Sequence, residues 1–125
     1  MMSVQKITLI REKVCKICDQ FLGDDYILLV FGSLVRQEIV QSSDIDLAVY
    51  RQEMISFSLL VDIKEKLEEE AGTLRDIDVL NLTDKNINAD LLRNILKEGE
   101  IWKEAKNSNA LLKSLRKRLE SLDKL

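Results

Sequence analysis

The sequence predicts a single α/β (α+β) domain, a small sheet of three or four strands flanked by helices. Three observations carry this expectation. Helical and strand-like patterns alternate through the centre of the chain. The run Tyr26–Phe31 is continuously apolar and rich in branched residues, as in a strand covered on both faces. The length, 125 residues, suffices for one hydrophobic core and is short for a second independent one, so residues 1–125 are read as one domain.

Ile7, Ile10, Val14, Ile17 and Phe21 recur at spacings of three and four, predicting an N-terminal amphipathic helix over about 3–21 that ends at Gly23. Tyr26–Phe31 then delivers the chain to Gly32-Ser33. Residues 34–40 read as a short helix, and Gln41, Ser42 and Ser43 as a polar turn into a second strand over Asp44–Tyr50. Phe57, Leu60, Ile63 and Leu67 mark a helix over about 53–71, stopped by Gly72, and Asp76–Leu82 reads as a third strand. A helix over about 88–98 carries Leu91, Leu92, Ile95 and Leu96 and ends at Gly99. The chain then passes Ile101-Trp102 into a C-terminal helix, about 106–123, with Leu111, Leu115, Leu119 and Leu122 in register. Trp102 and this leucine stripe read as core or partner contact.

Hydrophobic residues make up 46% of the chain and charged residues 33%, a balance that excludes a disordered or membrane-embedded class. The N-terminus has neither a cationic segment nor an apolar core of secretory length, so a cytoplasmic address with no membrane association is expected. A net charge of −3 gives no general attraction for polyanions, and no stable nucleic-acid binding is expected. Lys113, Arg116, Lys117 and Arg118 form the most basic stretch, but leucines interrupt it and it reads as a solvated helix face. Cys15 and Cys18 form C-x-x-C within the helical pattern, with no other Cys and no His in the chain. They read as reduced structural thiols rather than a zinc or redox site. The lack of His also excludes a Ser-His-Asp triad, leaving carboxylates as the groups for metal or acid/base chemistry.

Strand alternation puts Asp44 and Asp46 on one face, about 7 Å apart. Two like charges that close suit a hard divalent cation, and Mg²⁺ characteristically combines one or two carboxylates with the phosphate oxygens of a substrate. Gly32 at a strand-to-helix turn lets backbone approach a phosphate, and Ser33 adds a hydroxyl donor. Arg36, one turn on, can neutralise triphosphate charge. A third carboxylate on the third strand would complete a two-metal site, and alternation offers both Asp76 and Asp78 without choosing between them.

Taken together, F-G-S-x-x-R from Phe31, ten residues between Ser33 and Asp44, and S-D-I-D-L-A-V from Ser43 resemble the signature of the DNA polymerase beta-like nucleotidyltransferases. The short chain, I-D-V-L-N-L (Ile77–Leu82) and I-L-K-E-G-E-I-W (Ile95–Trp102) are similar to the minimal nucleotidyltransferases of that superfamily, and the motifs span residues 26–102. The resemblance implies the minimal polymerase-beta-like fold with a small mixed sheet. It implies metal and catalytic roles for Asp44, Asp46 and Asp78, the last chosen over Asp76 by its D-V-x-x-L context, and nucleotide contacts for Gly32, Ser33, Arg36 and Ser43. Two Mg²⁺ ions and ATP would be the cofactor and substrate. One departure is Gln37, where the family usually has glycine after the arginine.

The resemblance further implies an antitoxin that adenylylates a tyrosine hydroxyl on a HEPN ribonuclease toxin, with the terminal helices burying apolar faces against the toxin or a second copy of the chain in a hetero-oligomer. Two alternatives are a binding antitoxin that neutralises by contact and a small-molecule nucleotidyltransferase of the aminoglycoside-modifying kind.

Overall fold

A computed structural model of the chain describes residues 4–32, 45–70 and 76–123. Their order is α1 (Val4–Leu22), β1 (Tyr26–Phe31), β2 (Ile45–Arg51), α2 (Phe57–Glu70), β3 (Ile77–Asn81), α3 (Ala89–Glu98), β4 (Glu100–Lys103) and α4 (Ser108–Asp123). The expected helix over 34–40 and the helix stop at Gly72 lie outside the described residues.

The strands form one mixed sheet in the order β3-β2-β1-β4. Strand β1 runs antiparallel to β2 and β4, and β2 runs parallel to β3. Period-two alternation divides the side chains of this sheet between two cores. On one face Tyr26, Leu28, Val30, Ile45, Leu47, Val49 and Ile77 pack with Ile10, Val14 and Ile17 of α1 and Ile63 and Leu67 of α2. On the other, Ile27, Leu29, Ala48 and Tyr50 pack with Leu92 and Ile95 of α3 and Leu111 and Leu115 of α4. The chain is thus a three-layer α/β structure with the sheet in the middle. That explains why Tyr26–Val30 is apolar at every position: the strand is buried on both faces.

Helix α1 ends as its sequence requires. Gly23 takes φ +77°, a left-handed value, and its N–H bonds Asp19 O at 3.0 Å. Helix α2 starts at Phe57, four residues later than the pattern suggested, because Ser56 caps it. Ser56 Oγ accepts from Leu59 N at 3.1 Å. Phe57 therefore does not belong to the inward stripe and is 81% exposed. Strand β4 has no apolar alternation long enough to signal it in the sequence, yet it supplies the fourth strand and buries Trp102.

Cys18 is fully buried and Cys15 half-buried, both as free thiols within α1. Burial pushes the Cys18 thiol up to about 12 and also raises that of Cys15, whose Sγ lies 3.7 Å from Trp102 O. The basic stretch of α4 is only partly a solvated face. Lys113, Arg116 and Lys117 are exposed, but Arg118 donates to Leu82 O and lies 5.5 Å over the Tyr50 ring. Leu111 and Leu115 are consumed by the core, and among the large apolar side chains exposed in the described residues the terminal helices contribute Leu9 alone. No helix among these residues is long and apolar enough to cross a membrane.

Candidate functional site

Strand β2 is the axis of the site. Ile45, Leu47 and Val49 are fully buried against the α1/α2 layer, so alternation turns Asp46, Ala48 and Tyr50 to the opposite face. Ala48 and Tyr50 lie under α3 and α4, whereas Asp46, at the start of the strand, is only half-buried. On β3, Ile77 is fully buried in the α1/α2 core, which leaves Asp78 on the Asp46 face.

Register brings these carboxylates together. The parallel pairing sets Asp46 opposite Asp78, and the antiparallel pairing sets Phe31, the last residue of β1, on the other side of Asp46. Neighbouring strands are about 4.8 Å apart, so the two aspartates are side by side at one end of the sheet. Asp76 precedes β3 and is exposed. Its carbonyl accepts from Ile45 N at 2.9 Å, continuing the backbone ladder, so it has no register pairing with Asp46.

Gly32 closes the site from the β1 side. Its φ is +75°, a left-handed value that L side chains rarely adopt. A Cβ at this position would collide with Asp46 Oδ2. Glycine is thus required twice here, once by its backbone and once by the Asp46 carboxylate lying against its Cα. Of the other sequence-predicted site residues, Ser33, Arg36, Ser43 and Asp44, together with Gln37, lie outside the described residues.

Sequence reasoning did not anticipate Lys64. Rooted on α2, it places its Nζ 3.3 Å from Asp78 Oδ1 and 4.0 Å from Glu68 Oε1. Helix α2 covers the opposite face of the sheet, so this contact passes round the outer edge of β3, the edge strand. Both side chains remain about half exposed, Lys64 at 45% and Asp78 at 58%. No sequence signal points to it: Lys64 is one of two lysines in the K-E-K-L-E-E-E segment of a solvated helix face, fourteen residues before its partner.

The donors gathered here are carboxylate oxygens with backbone space beside them. That set suits a hard divalent cation and a phosphate rather than a soft metal. Among the described residues no group of three or more acidic, Cys or His side chains gathers, so Asp46 and Asp78 form a pair. A separate cavity of about 600 Å³ opens at the other end of the sheet, lined by Met54, Phe57, Asn81, Asp84, Lys85 and Arg118. It is about 20 Å from Asp46 along β2 by strand rise, too far to share its chemistry.

Comparison with known proteins gives the geometry a context. The family described as Polymerase beta, Nucleotidyltransferase matches residues 12–108. No curated protein matches the chain by sequence. Among solved structures, the chain is similar to the crystal structure of a toxin-antitoxin with AMP-PNP, at TM-score 0.73 and 17% identity over 90% of this chain and 88% of the other. It is also similar to a structure of tri-AMPylated Shewanella oneidensis HEPN toxin in complex with MNT antitoxin, at TM-score 0.68 and 16% identity over 92% and 87% of the two chains. A third similar structure is the toxin-antitoxin MntA-HepT, at TM-score 0.68 and 16% identity over 92% and 88%. At these identities the likeness is one of fold.

Proposed function

This chain belongs to the polymerase beta nucleotidyltransferase family, and from that premise we propose that it transfers AMP from ATP to a tyrosine hydroxyl on a HEPN-domain toxin, acting as its antitoxin. The observation that carries the reading is the in-register pair Asp46 and Asp78 beside the side-chain-free Gly32. Support for the nucleotide and the partner comes from the similar structures, a toxin-antitoxin with AMP-PNP and an AMPylated HEPN toxin with its MNT antitoxin.

In this reading Asp44, Asp46 and Asp78 would hold two Mg²⁺ ions, which when bound would supply charge stabilisation for the triphosphate and lower the pKa of the attacking hydroxyl. The chain's own groups do the rest. Gly32 and Ser33 present backbone and hydroxyl donors to the phosphates, with Ser43 and Arg36 completing the nucleotide contacts. The acceptor oxygen forms a bond to the α-phosphorus, the bond from the α-phosphorus to the bridging oxygen breaks, and pyrophosphate leaves. Asp78, the outer and more accessible carboxylate, takes the hydroxyl proton. A protein acceptor suits the open side of this pair, because the α3/α4 layer that covers Ala48 and Tyr50 leaves Asp46 half-exposed.

The test is the intact mass of the HEPN protein encoded beside this one after incubation with the chain, ATP and Mg²⁺. A gain of one or more AMP units that is lost with Asp46→Asn supports the reading. A stable complex with no mass gain, and toxin neutralisation that survives Asp46→Asn, replaces it with neutralisation by contact, the outcome that Gln37 in place of glycine would favour. Label transfer to an aminoglycoside with no protein present would assign a small-molecule acceptor instead.

A further inference from the structure

Lys64 contacts Asp78 from the wrong side for a residue that would serve catalysis directly. Asp78 is rooted on the same sheet face as Asp46, its register partner, whereas Lys64 is rooted on the helix covering the opposite face. The ion pair engages Asp78 Oδ1 at 3.3 Å from the α2 side of the sheet. Two adjacent carboxylates repel one another. The lysine relieves that repulsion by neutralising the outer one.

We propose that Lys64 is a built-in counter-ion that competes with a divalent cation for the Asp78 carboxylate. The proposal rests on the reading of Asp78 as a metal ligand. Cation binding would then exchange one charge partner of Asp78 for another, leaving the Lys64 ammonium to solvent and to Glu68, already 4.0 Å away. The pair is half-exposed and therefore weak, so it can be displaced without a large penalty. Lys64 is a positioning residue in this scheme, since it acts through Asp78.

The experiment is Mn²⁺ binding to the full chain, with no nucleotide present, followed by the electron paramagnetic resonance signal of the free ion. Lys64→Met keeps the unbranched aliphatic stem, one atom shorter, and removes the charge. It is expected to tighten Mn²⁺ binding by roughly two- to fivefold, the range that an exposed ion pair can supply. Lys66→Met, two residues along the same helix and paired with Glu70 at 2.8 Å, makes the same change in net charge and is expected to shift affinity by less than half as much. In an Asp78→Asn background Lys64→Met should have no more effect than Lys66→Met, because the competition runs through that carboxylate. Unchanged or weaker binding in Lys64→Met, with Asp78→Asn still weakening it, overturns the counter-ion proposal and leaves the metal reading standing. Full Mn²⁺ affinity in Asp78→Asn overturns both. Equal effects of Lys64→Met and Lys66→Met reduce the finding to bulk charge and also overturn it.

Discussion

Gly23 and Gly32 provide a matched pair for testing the geometry of the site. Both take left-handed backbone angles, φ +77° and +75°. At Gly23 an added Cβ meets nothing within 4 Å, whereas at Gly32 it runs into Asp46 Oδ2. Alanine in the left-handed region costs about 1–2 kcal/mol at either position. Gly23→Ala should therefore lose about 1 kcal/mol and lower Tm by about 3–5 °C, with AMP transfer untouched. Gly32→Ala carries the same backbone cost and must also push the Asp46 carboxylate aside, bringing its loss to about 2–3 kcal/mol. In the proposed reaction Asp46 is a catalytic group, and displacing such a group by about 1 Å can cost on the order of a hundredfold in rate, so the proposed AMP transfer should fall by that order in Gly32→Ala alone. Urea unfolding of both variants and initial rates of AMP transfer make the comparison. Equal destabilisation of the two, or a wild-type rate in Gly32→Ala, would refute the claim that Asp46 rests against Gly32.

Three further outcomes follow from the scaffold. Asn88 Oδ1 accepts from Leu91 N at 3.1 Å as the N-cap of α3, so Asn88→Ala should lower unfolding free energy by about 1 kcal/mol with no change in nucleotide transfer. Arg118→Met removes a donor to Leu82 O and a cation over Tyr50, and should cost about 1–2 kcal/mol in urea unfolding, whereas Arg116→Met, on the solvated face, should cost under about 0.5 kcal/mol. Burial holds the Cys18 thiol protonated up to about 12, against 9.0 for an exposed thiol. The folded chain thus keeps a proton that the unfolded chain releases. Its contribution is full below about pH 9 and is lost as pH rises from there toward about 12, at up to about 1.4 kcal/mol per pH unit. Urea midpoints measured between about pH 8 and 10.5 should fall less steeply in Cys18→Val than in wild type, and parallel curves would count against the buried thiol as the source.

Much of this was readable from residues because the physics is local. The stripe Ile10, Val14, Ile17 and the stop at Gly23 specify α1 without reference to the rest of the chain. The two-sided apolar run of β1 announces its own central place in the sheet. Strand β4 was not readable in the same way. Four residues with charged ends carry no periodicity, and pairing with β1 across a bulge between Leu28 and Leu29 is what makes them a strand. The spacing to the Gly32-Ser33 turn singled out Asp46, and the structure places its carboxylate against Gly32. The position of Asp78 opposite Asp46 rather than one step away is a matter of register between strands 32 residues apart, which alternation within either strand cannot supply. Lys64 and Arg118 were illegible for a related reason: a long cationic side chain on a helix reads as solvated until the tertiary partner is known.

The dependence on register has a consequence for how the site is held. Side chains alternate with period two, so slipping β2 by one residue against β1 and β3 would turn Ile45, Leu47 and Val49 out of the α1/α2 core and turn Asp46 into it. All three apolar residues are fully buried. Such a slip therefore sacrifices about 1.5–3 kcal/mol for each of them and buries a carboxylate among hydrocarbon besides. The packing of one face consequently fixes the pairing of the carboxylates on the other. A substitution that loosens this core, such as Leu47→Ala, threatens the Asp46 and Asp78 pairing without touching either residue. The same logic explains why two like charges can be kept adjacent in so small a protein: the repulsion between them is small beside the apolar burial that enforces their register, and Lys64 relieves part of it at the sheet edge.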